Sequence, residues 1–389
     1  FEFCKFIFIK IRQDKKRVSN KPTYMIPLTL DWLSAQESTS KHPVRDILFK
    51  NLHTELETAI TKSGKKRIFE KDETLKLSSA TCKDLIKAFQ DVNLSSIDED
   101  LNGRMFEVFL AASIRGKDLG QYFTPRSVVD FMTRISLRNV NITDPPKVID
   151  ACCGTAGFLI EVMAYLTASL REDNRFTSVQ KANIKDKICN EQLYGLEANE
   201  RVARIARINM YLHGDGGSHI FHGDGLDIDP QISPDMTVEQ IDGINEQRQK
   251  VLDNSFDIVL TNPPFSMNYK ANKVDEKRII SQHELTSDMT SVKSSILFLN
   301  RYYELLKPGG EMLIVLDDTV INGKSFKRVR RWILEKFIIL GVHSLPFNAF
   351  FKAKANIKTS ILHLKKKEKE GEQQGHIFMS ISNNIGHDN

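Results

Sequence analysis

Val148-Ile149-Asp150-Ala151-Cys152-Cys153-Gly154-Thr155-Ala156-Gly157-Phe158 reads as a short buried strand, a glycine turn and the start of a helix that continues through Leu159-Ile160-Glu161-Val162-Met163. Such a turn aims backbone N–H groups and a helix N-terminus at a ligand, and glycine lets the backbone approach closely. The G-x-G-x-x-G of a dinucleotide site is missing, so the glycines alone fit a plain turn. Asp150 changes the balance, because a carboxylate at the strand end can fix a cationic or amine-bearing ligand. Outward from this stretch, short apolar runs recur at 193–196, 219–222, 256–260, 312–316, 338–342 and 359–364. Helical patterns at Arg201–Leu212, Ser295–Leu306 and Phe326–Phe337 separate most of them. The alternation predicts an α/β fold, a mostly parallel sheet with helices on both faces. Ligands of such sheets sit beyond the carboxyl ends of the strands, at the topological switch point.

Three further strand ends carry polar signals. Tyr194-Gly195-Leu196-Glu197 places an acid where it can accept from both hydroxyls of a ribose, with the polar stretch 171–188 as an insertion before it. His222-Gly223-Asp224-Gly225-Leu226 again puts an acid after a strand, suited to the amino edge of an adenine, although Gly-Asp-Gly reads equally as a common turn. The fourth is Asn262-Pro263-Pro264-Phe265, directly after the run Phe256–Leu260. Two prolines fix the backbone and remove two donors. The amide oxygen of Asn262 and the carbonyl of Pro263 can then accept from one exocyclic amino group. Two acceptors pull that nitrogen towards tetrahedral geometry and free its lone pair for attack, while Phe265 offers a flat face for a base. Alone the tetrapeptide could be an edge turn; four such signals in this order are improbable by coincidence.

The first part of the chain, to about Gly120, is helical in pattern, with Leu52, Leu56 and Ile60 at one-turn spacing and Pro22, Pro27 and Pro43 as punctuation. It suits a docking or lid domain. The opening Phe1–Lys10 is broken by Lys5 and Lys10 and suits a packed amphipathic helix. It lacks the features of a signal peptide, and no stretch of the chain is long and apolar enough for a bilayer. The start at Phe1 suggests a fragment. Residues 266–293, rich in Ser, Asn and Lys, suit a mobile insertion, and the charged run 365–374 a solvated linker.

The net charge of +5 is compatible with nucleic acid but too small to argue for it. Five cysteines, Cys4, Cys82, Cys152, Cys153 and Cys189, show no zinc or disulfide spacing and point to a reducing cytoplasm. Cys152 and Cys153 read as small buried residues. Cytosine-C5 methylation needs a nucleophilic cysteine, usually just after a proline, and the chain has no Pro-Cys pair.

With these residues in place, the sequence resembles the S-adenosylmethionine-dependent DNA adenine-N6 methyltransferases, and more narrowly the modification subunit of type I restriction–modification systems. The resemblance runs through Leu119-Gly-Gln121-Tyr122-Phe123-Thr124-Pro125-Arg126, then Asp150–Phe158, Tyr194–Glu197, Gly223–Leu226 and Asn262–Phe265. It extends to Leu306-Lys-Pro-Gly-Gly310, Val315-Leu316, Leu345-Pro346 and Lys358–Ile361. Ala156 stands where the family has a glycine. The resemblance implies a Rossmann-like class I methyltransferase sheet over 119–389, preceded by an all-helical domain over 1–118.

It further places Gln121, Tyr122, Phe123, Thr124 and Pro125 over the methionine end of the cofactor. Asp150, Gly154, Thr155, Gly157 and Phe158 fall at its amino-acid moiety, Glu197 at the ribose, and Asp224, Gly225 and Leu226 at the adenine. Asn262, Pro263, Pro264 and Phe265 carry catalysis without a metal. Phe265 stacks on the extruded base with Phe350 opposite it, Phe351 and Phe347 being rivals. Arg126, Lys270, Lys273, Lys277 and Lys352 are candidates for phosphate contacts. The implied partners are double-stranded DNA, a specificity subunit or fused recognition domain, and a restriction subunit. With no recognition domain visible after its catalytic part, this chain alone is expected to methylate specific sites feebly. An RNA or protein-glutamine methyltransferase, or a non-catalytic cofactor-binding scaffold in a defence complex, are the competing readings.

Overall fold

The computed structural model describes residues 1–18, 28–63, 68–94, 124–214, 219–350 and 357–386. Two compact units emerge, one of residues 1–115 with 204–218, the other of 116–203 with 219–389.

In its described residues the first unit is helical: Glu2–Val18, Leu30–Gln36, a π-helical turn Val44–Phe49, Lys50–Ser63 and Ser79–Phe89. Thr29 and Ser78 cap two of these starts with their side-chain oxygens. The opening helix departs from the amphipathic expectation, since residues 4–11 are buried all round, Lys5 and Lys10 included. Lys5 Nζ donates to Glu2 and Glu73, both at 2.6 Å, and to the Thr74 carbonyl at 2.8 Å. Lys10 Nζ donates to both oxygens of Asp14 and to the Val92 carbonyl. A buried ammonium needs such complete pairing. The helix Glu200–His213, which the strand–helix alternation assigns wholly to the sheet domain, contributes residues from Arg204 onward to this first unit.

The second unit is built on an eight-stranded sheet. Its strands are β1 (Val148–Asp150), β2 (Leu193–Glu197), β3 (Ile220–His222), β4 (Phe256–Thr261), β7 (Leu306–Asp317), β8 (Phe337–Ser344), β9 (Thr359–Lys366) and β10 (Phe378–Ile381). A separate hairpin joins β5 (Asn268–Lys270) to β6 (Ser291–Lys293). The order across the sheet is β10-β8-β9-β7-β4-β1-β2-β3, with β9 antiparallel to both its neighbours and every other pairing parallel. The chain goes from β1 outward through β2 and β3, then returns to the other side of β1 with β4. That reversal is the switch point, and Asp150 and Thr261 end the two strands flanking it.

Val148, Ile149, Val259, Leu260 and Met312 to Leu316 are all buried, as strands covered on both faces must be. Helices Ser294–Leu305 and Lys327–Lys336 pack on one face, and Arg126–Ser136 and Gly157–Glu172 on the other. The α/β fold class expected from the alternation is the one observed.

Two local expectations fail. Residues 266–293 are not a loose insertion: they form the β5/β6 hairpin and the helix Val274–Ser281, with Ile279, Ile280, His283, Leu285 and Thr286 buried. The charged run from Lys365 begins inside β9, where Lys366 is buried and donates to Asn254 Oδ1 and the carbonyls of Tyr303 and Leu306. After it the sheet gains β10, an edge strand with Phe378, Met379 and Ile381 exposed. Among the described residues no helix is long and apolar enough to cross a membrane.

Candidate active site

Four strand ends on one edge of the sheet converge on the switch point. β1 is only three residues long and stops at Asp150, whose Oδ1 accepts from Cys152 N at 3.1 Å, Thr261 Oγ1 at 2.9 Å and Tyr302 OH at 3.2 Å. The hydroxyls of Thr261 and Tyr302 lie 2.7 Å apart, and Tyr302 OH also accepts from Ala151 N at 3.0 Å. Burial pushes the Asp150 carboxyl up to about 6 against these stabilising donors. Cys152 lies in the same cluster, half-buried, 3.2 Å from Thr261 Oγ1, and Cys153 is buried behind it. Burial first, then the nearby carboxylate charge, drives both thiols well up, which makes them poor nucleophiles.

The turn after β1 carries Gly154 at φ +53° and Ala156 at φ 68°, so two left-handed positions on either side of Thr155 swing the chain into the helix that starts at Gly157. A Cβ built on Gly154 or Gly157 would meet nothing within 4 Å among the described residues, so bare backbone faces open space here. Thr155 and Phe158 are buried. Glu197, buried at the end of β2, accepts from Gly154 N at 3.1 Å and Asn199 N at 2.9 Å, and burial raises its carboxyl.

After β3, Asp224 accepts from Leu226 N at 3.0 Å through one oxygen and from Tyr269 OH at 3.1 Å through the other; burial raises it as well. Gly225 presses on the β1 turn so closely that a Cβ would stand 1.9 Å from the Ala151 carbonyl oxygen. Leu226 is fully buried, and its carbonyl lies 2.8 Å from Nε2 of buried His283.

Beyond β4, Asn262 Nδ2 donates to Thr124 Oγ1 at 3.0 Å, while Asn262 Oδ1 is buried with no partner among the described residues. Pro264 accepts from Ser294 Oγ at 2.7 Å, which closes the turn against the helix Ser294–Leu305. Phe265 is buried and meets Phe350 edge-to-face, ring centroids 5.5 Å apart at 77°. Phe350 is fully buried, whereas Phe347 is exposed.

Asp150, Gly154, Glu197, Asp224, Asn262 and Phe265 thus share one edge of the sheet. Thr124 falls beside the Asn262 amide, and Pro125 begins the helix Arg126–Ser136. Lys270, Lys273 and Lys277 are exposed on the 266–293 segment, with Lys273 paired to Glu276. Gln121, Tyr122, Phe123, Phe351 and Lys352 lie outside the described residues. Sequence reasoning passed over Thr261, Tyr269 and Tyr302, the three hydroxyls that hold the acids. Only Thr261, adjacent to Asn262, carried a local signal. A cavity of about 510 Å³ opens at the opposite, amino end of the strands, where its ions pair among themselves, Arg138 with Glu311 and Lys187 with Asp144.

A family model described as N-6 DNA Methylase matches residues 97–389. The chain is 26% identical over 287 residues to the Type I restriction enzyme EcoEI methylase subunit of Escherichia coli, covering 72% of this chain and 50% of that one. It is 24% identical over 303 residues to the Type I restriction enzyme MpnII methylase subunit of Mycoplasma pneumoniae, covering 75% and 50%. The chain therefore spans about half the length of these curated relatives. Among solved structures, a type I R-M system chain superposes with TM-score 0.60 at 19% identity, over 98% of this chain and 71% of that one. The type I restriction-modification system methyltransferase subunit from Streptococcus thermophilus gives 0.56 at 19%, over 98% and 81%. At such identities the superpositions speak for the fold alone.

Proposed function

The chain belongs to the N-6 DNA methylase family, and from that premise we propose that it transfers a methyl group from S-adenosylmethionine to the exocyclic N6 of an adenine extruded from duplex DNA. In this reading the sheet domain, 119–389, is the catalytic part of a restriction–modification system and the helical 1–118 is a docking or lid domain. Double-stranded DNA, a specificity subunit or fused recognition domain and a restriction subunit are its partners.

The observation that carries the proposal is the Asn262 amide. Its nitrogen donates to the Thr124 hydroxyl, and among the described residues Oδ1 is left as a buried acceptor with no donor. Such an atom costs about 1–3 kcal/mol unless something supplies a hydrogen, and an exocyclic amino group does. The residues also fit the cofactor: three acids, Asp150 and Glu197 buried and Asp224 half-buried, end or follow adjacent strands, and open space stands over Gly154 and Gly157. Glu197 would hold the ribose hydroxyls, Asp224 the adenine amino group, and the Asp150–Phe158 turn the amino-acid end. When bound, the cofactor supplies a methyl group already activated by its sulfonium.

The chain's own work is then positioning. Asn262 Oδ1 and the Pro263 carbonyl accept the two hydrogens of N6 and turn its lone pair out of the ring plane. Pro264, tied to Ser294, keeps that turn rigid. The hydrogen that N6 gives up is held in its hydrogen bond at Asn262 Oδ1 until it leaves for solvent. Extrusion costs a few kcal/mol, repaid by these bonds and by stacking on Phe265. Arg126, Lys270, Lys273 and Lys277 would meet phosphates at the mouth.

The test is Asn262→Ala in the full-length protein with its recognition partner, measured as radiolabelled methyl incorporated into DNA and as cofactor affinity by calorimetry. Methyl transfer is expected to vanish while affinity stays within about threefold of wild type. Loss of both together would reduce Asn262 to a structural residue and remove the proposal's support.

A further inference from the structure

Tyr269 stands on β5, a few residues after Phe265, with its ring packed against the sheet core and its hydroxyl 3.1 Å from Oδ2 of Asp224. The other oxygen of that carboxylate accepts from Leu226 N at 3.0 Å. Both oxygens are thus held, the carboxylate plane is fixed, and each oxygen keeps a lone pair for a ligand.

The same segment grips the loop at further points. Arg278 spans both oxygens of Asp227, Gln282 Oε1 accepts from Ile228 N at 3.0 Å, and His283 Nε2 lies 2.8 Å from the Leu226 carbonyl. Those contacts fix the loop. The Tyr269 hydroxyl, by contrast, donates to the Asp224 carboxylate itself.

The consequence is chemical. A buried carboxylate tends to take up a proton, and burial does raise Asp224, opposed by the Leu226 N–H and Tyr269 O–H bonds. An ionised carboxylate only accepts, so it takes the amino edge of a purine and repels a carbonyl there. A protonated one can donate, and the two edges cease to differ.

We infer that Tyr269 is a specificity-determining positioning residue: by donating to Asp224 it holds that side chain as an oriented acceptor, so that the site selects a 6-amino over a 6-oxo purine. The inference rests on the proposed assignment of Asp224 to the cofactor adenine.

The experiment titrates the 389-residue chain by calorimetry with S-adenosylhomocysteine and with S-inosylhomocysteine, its 6-oxo counterpart. Wild type is expected to prefer the adenosyl ligand by about tenfold or more, the scale of one hydrogen bond to a charged group. Tyr269→Phe keeps the ring and its packing, and should bring the preference below about threefold, mainly by weakening the adenosyl ligand. A preference unchanged in Tyr269→Phe, whether both affinities fall together or neither moves, overturns the inference and leaves the cofactor site standing. Equal wild-type binding of the two ligands overturns the Asp224 assignment and the inference with it. Should Tyr269→Phe unfold, Arg278→Ala and Tyr269→Trp serve. Arg278→Ala loosens the loop without touching the carboxylate, so it should weaken both ligands alike and retain the preference. Tyr269→Trp, which has no hydroxyl for Asp224, should lose it, and a preference retained there overturns the inference. Glu197→Ala separates the larger reading: if it binds both ligands as wild type does, the cofactor site itself is misassigned.

Discussion

The hydroxyl of Thr261 donates to Oδ1 of Asp150 across 2.9 Å, and so joins the last residue of β4 to the last residue of β1 at the switch point of the sheet. Asp150 is buried, and desolvation holds its carboxyl at about 6, above the ordinary aspartate value near 4. The folded state therefore binds the proton more tightly than the unfolded one. That contribution is fully present below pH 4 and is lost as pH rises through 6. Asp150→Asn, which resembles the protonated form, should gain stability relative to wild type between pH 4.5 and 7.5. Urea unfolding of both proteins at the two pH values gives the double difference, from which the other raised acids cancel. A difference independent of pH would mean that Asp150 is not the group titrating near 6.

The two kinds of glycine near this junction should separate in experiment. Gly225 has backbone where a side chain would go, so Gly225→Ala must push the loop off the β1 turn and should cost about 1–3 kcal/mol of stability. Gly157 has a negative φ and open space, so Gly157→Ala should leave the urea midpoint unchanged or slightly higher. If the open space belongs to the cofactor, the same alanine should weaken S-adenosylmethionine binding by about tenfold or more. Calorimetry beside urea titration reads both effects; a Gly157→Ala chain that binds normally would place the cofactor elsewhere.

Much of this junction is legible in the sequence because a strand end is also a position in chain order. Asp150, Glu197, Asp224 and Asn262 each close or closely follow an apolar run, so their convergence follows once the sheet is parallel. Their partners are not legible in that way. Tyr302 lies in the last turn of its helix among Phe298, Leu299 and Leu305, where an aromatic is ordinarily core, and only the packing of that helix on the sheet brings its hydroxyl to Asp150. Composition misleads at 266–293, where polar residues surround the few apolar ones that bury, Ile279, Ile280, Leu285 and Val292. Lys5 and Lys10 mislead in the opposite sense: partners 68 and 82 residues away, Glu73 and Val92, make their burial tolerable.

Phe265 and Phe350 meet edge-to-face, an arrangement without the parallel gap a base needs between two rings. One ring must turn before a base can be sandwiched. If Phe350 stacks on the extruded adenine, Phe350→Leu, which preserves much of the buried volume, should lower methyl transfer by about 5- to 100-fold, the range for one base–aromatic contact. Cofactor affinity should be untouched. The fluorescence of 2-aminopurine at the target position should also change, because less stacking leaves the base less quenched. Wild-type transfer rates in Phe350→Leu would return Phe350 to the core and turn attention to Phe347.

Arg278 and Asp227 form the firmest tie between the 266–293 segment and the loop after β3, a two-pronged pair in which one N–O distance is 2.7 Å, reinforced by Gln282 Nε2 on the same carboxylate at 3.1 Å. Guanidinium geometry matters here, because an ammonium cannot span both carboxylate oxygens in the same plane. Arg278→Lys and Arg278→Ala should therefore behave alike in loosening residues 224–229, though the lysine retains charge. Hydrogen exchange is expected to quicken at the Leu226, Asp227 and Ile228 amides by about tenfold, while β1 and β4 amides stay protected. Cofactor affinity should fall with it and recover in part at low ionic strength for lysine only, since screening weakens a point charge but not a missing fork. Protection that survives in Arg278→Ala would show that His283 and Gln282 suffice to hold the loop, and that the segment covers the site without governing it.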